Sequence, residues 1–278
     1  MKSETTAIFL HLPKTAGTTL LRILDRQYPS ASVYSIEADA HASVRQFREL
    51  PEEARGRFRL VRGHLPYGIH TAIPRPTSYF TILRDPVERV LSYYFYILRT
   101  PGHYLYDIVM SRNLGLKELL ETGLALMMND GQVRLLSGVW GDVEFGGCTP
   151  EIVAAAQHHL AEAFTVVGLT EQFDISLLLL KKQYGWRHIY YLKENVTSHR
   201  PQQADLPPGT IDMVRQCNQG DLALYAWAQT HLAEQIRLQG PLFPAQLAAF
   251  HLGNRLYREI RHRSVRTFIR RHILRQAI

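Results

Sequence analysis

The chain reads as an α/β protein: a three-layer sandwich with a mostly parallel central sheet. Three observations predict this. Short apolar runs alternate with stretches of helical periodicity, the mark of successive βαβ units. Charged and polar residues, Lys14, His64 and Arg84, fall where apolar runs end, and parallel sheets bind ligands beyond the carboxyl ends of their strands. At 278 residues, 46% hydrophobic and 21% charged, the chain suits one large domain, alone or with an appendage.

Ala7-Ile8-Phe9-Leu10 predicts a buried first strand, closed by Pro13, and Leu20, Leu21, Ile23 and Leu24 begin a helix. Val33 to Ile36 predicts a strand, and Ala42 to Ala54 one helix with Val44, Phe47 and Leu50 in register. Phe58 to Val61 predicts a strand running into Arg62-Gly63-His64, and Pro66, Pro74 and Pro76 mark a loop. Tyr79 to Leu83 predicts the next strand, followed by a helix through Val90, Leu91, Tyr94 and Ile97. The glycine-punctuated stretch from Pro101 to Thr149 is expected to be helical, irregular and turned toward substrate. A helix from Pro150 to Ala163, a strand from Phe164 to Leu169, a helix from Asp174 to Tyr184 and a strand from Ile189 to Leu192 complete the alternation. Leu206-Pro207-Pro208 opens a last pair of helices.

The net charge of +7 is not spread evenly. From Arg255 onward there are eight Arg and one Glu, while the rest of the chain carries equal numbers of acidic and basic residues. Basicity therefore says little about the substrate of the body. Two cysteines, Cys148 and Cys217, match no metal or redox spacing and are expected as free thiols. No apolar run approaches a membrane span and no signal-peptide core opens the chain, so the expectation is a cytoplasmic protein, peripheral on the inner membrane face if the tail binds lipid.

His11-Leu12-Pro13-Lys14-Thr15-Ala16-Gly17-Thr18-Thr19 forms a hydroxyl-rich turn between strand and helix. A helix N-terminus presents free N–H groups and a positive dipole end to an anion. Lys14 adds a full charge, Gly17 permits close approach, and the threonines add donors. This predicts a phosphate-binding loop. It is not the nucleoside-triphosphatase loop, which places its Lys after the second Gly of G-x-x-x-x-G-K-[ST]. The second motif is Leu83-Arg84-Asp85-Pro86 with Ser92 about two helical turns on. An Arg there can grip a phosphate bidentately, with Ser92 reaching the same anion, or the segment is a turn whose Asp caps the helix.

Together the two motifs resemble the sulfotransferases that use 3′-phosphoadenosine 5′-phosphosulfate (PAPS), in particular the glycosaminoglycan-type carbohydrate enzymes and their bacterial relatives. Gly168 to Asp174, Asn129 to Leu136, and Leu206-Pro207 with Asn218 to Tyr225 extend the likeness over roughly residues 7–232. The resemblance implies a P-loop-like nucleotide-binding fold, with Lys14, Thr15, Gly17, Thr18 and Thr19 on the 5′-phosphosulfate and Arg84 and Ser92 on the 3′-phosphate. It implies sulfuryl transfer to a hydroxyl of a sugar or other acceptor, without a metal. His64 is the candidate base, and Lys14 stabilises the leaving phosphate. Uronyl-type relatives often carry His-Gly-His where this chain has Arg62-Gly63-His64, so His70, His103 and Glu88 stand in reserve. Gln132 and Arg134 are candidate acceptor contacts. Asn195, Thr197 and Ser198 are candidates to close over the nucleotide. His11 and His41 are expected to be structural, and Tyr93, Tyr94 and Tyr96 to serve packing.

The expected division is a transferase domain over residues 1–249 and a basic amphipathic tail over 250–278, with Leu252, Leu256, Ile260, Phe268 and Ile273 at near-helical spacing. Such a tail either packs on the domain or lies on an anionic membrane or an acidic polymer. No nucleic-acid module is recognisable. The competing functions are an idle PAPS-binding or PAP-binding interaction protein and a small-molecule kinase.

Overall fold

A computed structural model describes residues 5–37, 39–192 and 206–272, with side chains through residue 261. In chain order the elements are β1 (Thr6–Leu10), α1 (Gly17–Leu24), β2 (Val33–Ser35), α2 (Ala40–Glu49), α3 (Glu52–Arg55), β3 (Leu60–Gly63), β4 (Thr77–Leu83) and α4 (Pro86–Ile97). Then come α5 (Tyr106–Ser111), α6 (Leu116–Glu121), α7 (Gly131–Ser137), α8 (Pro150–Ala163), β5 (Phe164–Leu169), α9 (Phe173–Tyr184), α10 (Thr210–Gln216), α11 (Gln219–Arg237) and α12 (Phe243–His272).

The five strands form one parallel sheet in the order β2-β3-β1-β4-β5. Every residue of β1 is buried, so helices cover both faces at the centre. The order also fixes where the cleft must be. From β1 the chain moves outward to β2, whereas from β4 it moves the opposite way to β5. Right-handed crossovers therefore put α1 on one face and the α4–α8 segment on the other. Two contacts agree: Trp186, just after α9, donates to the Tyr28 hydroxyl after α1, and Tyr67 N donates to Leu135 O in α7. The helices diverge between β1 and β4, leaving a crevice at their carboxyl ends.

The expected single helix from Ala42 to Ala54 is two. Asp39 caps α2 through Ala42 N, and Pro51 interrupts the run because it has no N–H for the ladder. The stretch expected as a strand at Ile189 to Leu192 is not one, although Ile189 and Tyr191 are buried as alternation requires. Side chains satisfy its backbone instead. Asn254 Oδ1 accepts from Tyr191 N at 2.8 Å, Arg26 Nη2 donates to Tyr190 O at 2.8 Å, and Gln27 Nε2 donates to His188 O at 3.3 Å. The middle of the chain is helical and irregular as expected, and α4–α6 with Val214 of α10 enclose a second, smaller core. Helix α12 begins at Phe243 and crosses the 249/250 position without a break.

Candidate active site

The crevice at the ends of β1 and β4 is a cleft of about 1020 Å³, lined among others by Lys14, Gly17, Thr18, Thr19, His64, Arg84 and Ser92. Two loops build its anion-binding end. After β1, Lys14 and Ala16 adopt left-handed conformations with φ of 69° and 62°. These turns deliver the chain into α1 at Gly17, and no side chain caps that N-terminus. Gly17, Thr18 and Thr19 of that first turn line the cleft. After β4, Asp85 Oδ1 accepts from Glu88 N at 2.9 Å and Pro86 starts α4. Asp85 therefore caps the helix, and Arg84 and Ser92 line the cleft.

Arg84 ties the loops together. Its Nη1 donates to Lys14 O at 3.0 Å, and Nη2 lies 3.5 Å from Glu88 Oε2. Lys14 Nζ sits 4.0 Å above the centre of the Tyr96 ring. Burial, then repulsion from Arg99 and Arg84, brings the Lys14 ammonium down to about 8. Converging cations that repel one another are complementary to a phosphate or phosphosulfate group, so the donor set fits such a ligand.

In the same cleft, His64 Nδ1 lies 2.6 Å from His11 O. A carbonyl can only accept, so Nδ1 carries the proton and Nε2 keeps its lone pair. Burial lowers the pKa of His64, the bond to His11 O opposes the shift, and Lys14 adds to it, with a net fall. The ring is therefore neutral and basic at neutral pH. The His11 ring stacks on it at 4.2 Å between centroids and is held neutral by burial, His64 and Lys14.

A profile of the galactose-3-O-sulfotransferase family matches residues 2–248. The chain belongs to this family. Galactose-3-O-sulfotransferase 2 of Sus scrofa is 27% identical over 204 residues, covering 66% of this chain and 49% of that protein. The Homo sapiens protein of the same name is 25% identical over 259 residues, covering 85% and 63%. The chain thus spans about half to two thirds of the length of these relatives. A solved mouse sulfotransferase complexed with PAP is 14% identical, with a TM-score of 0.39 over 81% of this chain and 89% of its own.

Within this family member, several residues do not stand where sequence reasoning put them. Gln132 and Arg134 were expected at the acceptor, yet both are fully buried and neither lines the cleft. Gln132 clamps the Arg84 backbone, accepting from its N–H at 3.0 Å and donating to its carbonyl at 3.0 Å. The Arg134 guanidinium bonds Asn129 O and Oδ1 and the carbonyls of Trp140, Val143 and Glu144, which ties down the loop after α7. Thr15 is also fully buried, and its hydroxyl donates to Leu12 O at 2.8 Å, so its side chain shapes the loop and does not face the cleft.

Among the reserves, only His103 lines the cleft. Its Nδ1 accepts from Leu105 N, so Nε2 carries the proton and donates to the Tyr93 hydroxyl, and both nitrogens are engaged. His70 lies against Tyr67 and Tyr79 outside the cleft, and Glu88 pairs with Arg84. Arg62 pairs with Asp25 at 2.6 Å and also stays outside. Asn195, Thr197 and Ser198 lie outside the described residues.

Three residues expected to be structural, His11, Tyr93 and Tyr96, belong to the cleft. Tyr96 supports Lys14, and His11 provides a second imidazole beside His64. The β1–β3 register explains the latter: Leu10 pairs with Gly63, and His11 N donates to Gly63 O at 2.9 Å, so the next residue of each strand meets the other. Position at a strand end was the available signal. Knowing that β1 lies beside β3 requires the sheet order.

Proposed function

We propose that the chain transfers the sulfuryl group of PAPS to a hydroxyl of a galactose-containing acceptor. The observation that carries this reading is the tautomer of His64: with Nδ1–H bound to His11 O, its basic Nε2 belongs to the same cleft as Lys14 and Arg84. In the proposed reaction His64 Nε2 takes the proton of the acceptor hydroxyl as that oxygen attacks sulfur. The bond from sulfur to the 5′-phosphate oxygen breaks in line, and the electron pair goes to the phosphate. Lys14 and the N-terminus of α1 stabilise the charge that grows there. Arg84 and Ser92 hold the 3′-phosphate and fix the nucleotide. The products are the sulfated sugar and PAP, with the proton passed to solvent. The galactose acceptor is suggested by the names of the family and its relatives, and the acid–base assignment by the geometry.

The test is transfer of labelled sulfate from PAPS to galactosides, with Lys14→Ala and His64→Ala in parallel. Both are expected to lose about 10²–10⁴-fold in kcat. Isothermal titration of PAP should remain measurable for His64→Ala, since that residue acts on the acceptor. Wild-type transfer retained in His64→Ala would remove it as the base.

A further inference from the structure

Helix α12 has two faces of different character. On the inner one Phe243, Phe250 and Asn254 are buried, the two phenylalanines within the main core. On the outer one Leu252, Leu256 and Ile260 are 57%, 50% and 64% exposed. They follow one another at steps of four residues and share a stripe, which exposed Ala245 and Ala249 extend toward the helix start. Leu238 and Leu242, just before the helix, are also exposed. Among the described residues, the only large exposed aliphatics outside 238–260 are Met110 and Leu124. Scattered exposed leucines need no explanation, but a concentration on one helix face does.

The charge pattern says what covers this face. The eight Arg and single Glu from Arg255 onward make the C-terminal sequence beside this face strongly basic, although Arg258 itself turns to Tyr191 and Arg261 to Tyr257. An anionic lipid surface offers both the apolar layer and the opposite charge. No described helix is long and apolar enough to cross a membrane, which leaves binding in the interface plane. We propose that the outer face of α12, through Leu252, Leu256 and Ile260 beside the basic C-terminal sequence, seats the protein on an anionic membrane surface.

This seating is separate from the chemistry in the cleft. Leu247 and His251 of α12 line the cleft, whereas Leu252, Leu256 and Ile260 do not. The membrane face can therefore be altered without touching the lining.

The test is co-sedimentation of the full chain with phosphatidylcholine vesicles, with and without about 30% phosphatidylserine. The wild type is expected to pellet with the anionic vesicles only, and to be released at about 0.5 M salt as screening removes the charge attraction. Leu252→Ser/Leu256→Ser/Ile260→Ser should lower the bound fraction about tenfold or more, at unchanged helicity and melting temperature. Should the triple variant fold poorly, Leu256→Ser and Ile260→Ser singly are expected to give intermediate losses. Failure of the wild type to bind anionic vesicles would overturn the proposal. So would equal binding by the serine variants, which would reduce the effect to adsorption of arginines. A wild-type dimer that the serine variants convert to monomer, with no vesicle binding, would make the face a contact between copies.

Discussion

Gly17 shows how a single residue can govern this cleft. A Cβ added there would lie 1.6 Å from His11 Nε2, an overlap no small shift absorbs. Gly17→Ala must displace the His11 ring, which stacks on His64, or move the start of α1. The expected outcome is a loss of about 10–100-fold in kcat/KM, since small misplacements at a reacting centre carry costs of that order. Adding His11→Ala to Gly17→Ala should recover PAP affinity in titration if the clash is the cause. The titrating groups give a second prediction at this scale. Burial lowers His64, so its basic form persists below the usual imidazole range, and activity is lost as pH falls through that lowered value. In the proposed reaction Lys14 must be protonated to stabilise the leaving phosphate, and it lies at about 8, so kcat/KM for PAPS should fall as pH rises through about 8. In kcat the upper limb should move higher, because a bound anion favours the ammonium. A profile flat from pH 7 to 9 in kcat/KM would contradict the role of Lys14.

Among the elements, α7 is the one whose purpose sequence reasoning mistook. Its N-terminus is capped from α11: Asp221 accepts from Gln132 N and Val133 N at 3.0 and 2.8 Å and pairs with buried Arg89 at 3.2 Å. Asp130 Oδ1 in turn accepts from Asp221 N, which locks the two helices together. Through Gln132 this assembly holds the backbone of Arg84, so α7 positions the Arg-Asp-Pro turn at the cleft. Gln132→Leu should raise KM for PAPS about tenfold with a smaller change in kcat, and Gln132→Glu should restore little, because the bond to Arg84 O needs a donor. Asp221→Ala leaves Arg89 without its carboxylate in the interior, and about 3–5 kcal/mol of stability should be lost in denaturant unfolding. A spacing argument could not separate these roles, since a polar residue near a cleft looks the same in sequence whether it faces inward or outward.

The whole molecule depends on a late segment folding back across an early one. Tyr191, Asp174 of α9 and His251 of α12 meet at one wall of the cleft: the Tyr191 hydroxyl donates to Asp174 Oδ1 at 2.6 Å, and His251 Nε2 lies 3.1 Å from Asp174 Oδ2. Buried Asn254 pins the backbone there through Tyr191 N. Asn254→Ala should cost about 1–3 kcal/mol, the penalty of leaving a buried N–H unpaired. Hydrogen exchange should show the amide of Tyr191 losing protection while those of β1 keep theirs; equal loss at both would mean global unfolding instead.

The sequence by itself determined the elements whose signals are local. The apolar runs of β1, β4 and β5, the Pro150 start of α8, the glycine loop with Lys14 and the Arg-Asp-Pro turn carry their own periodicity, breakers and caps. Together they announced an anion-binding α/β fold and its family. Only tertiary structure decided what depended on neighbours distant in the chain. His11 became a partner of His64 because β1 lies beside β3, and Gln132 became a clamp because α7 lies under Arg84. Tyr190 and Tyr191 left the sheet because Arg26 and Asn254, 164 and 63 residues away, satisfy their backbone. Hydrophobic period and turn chemistry are written residue by residue, whereas strand order and the partners of buried polar groups are set when separate segments compete for the same contacts.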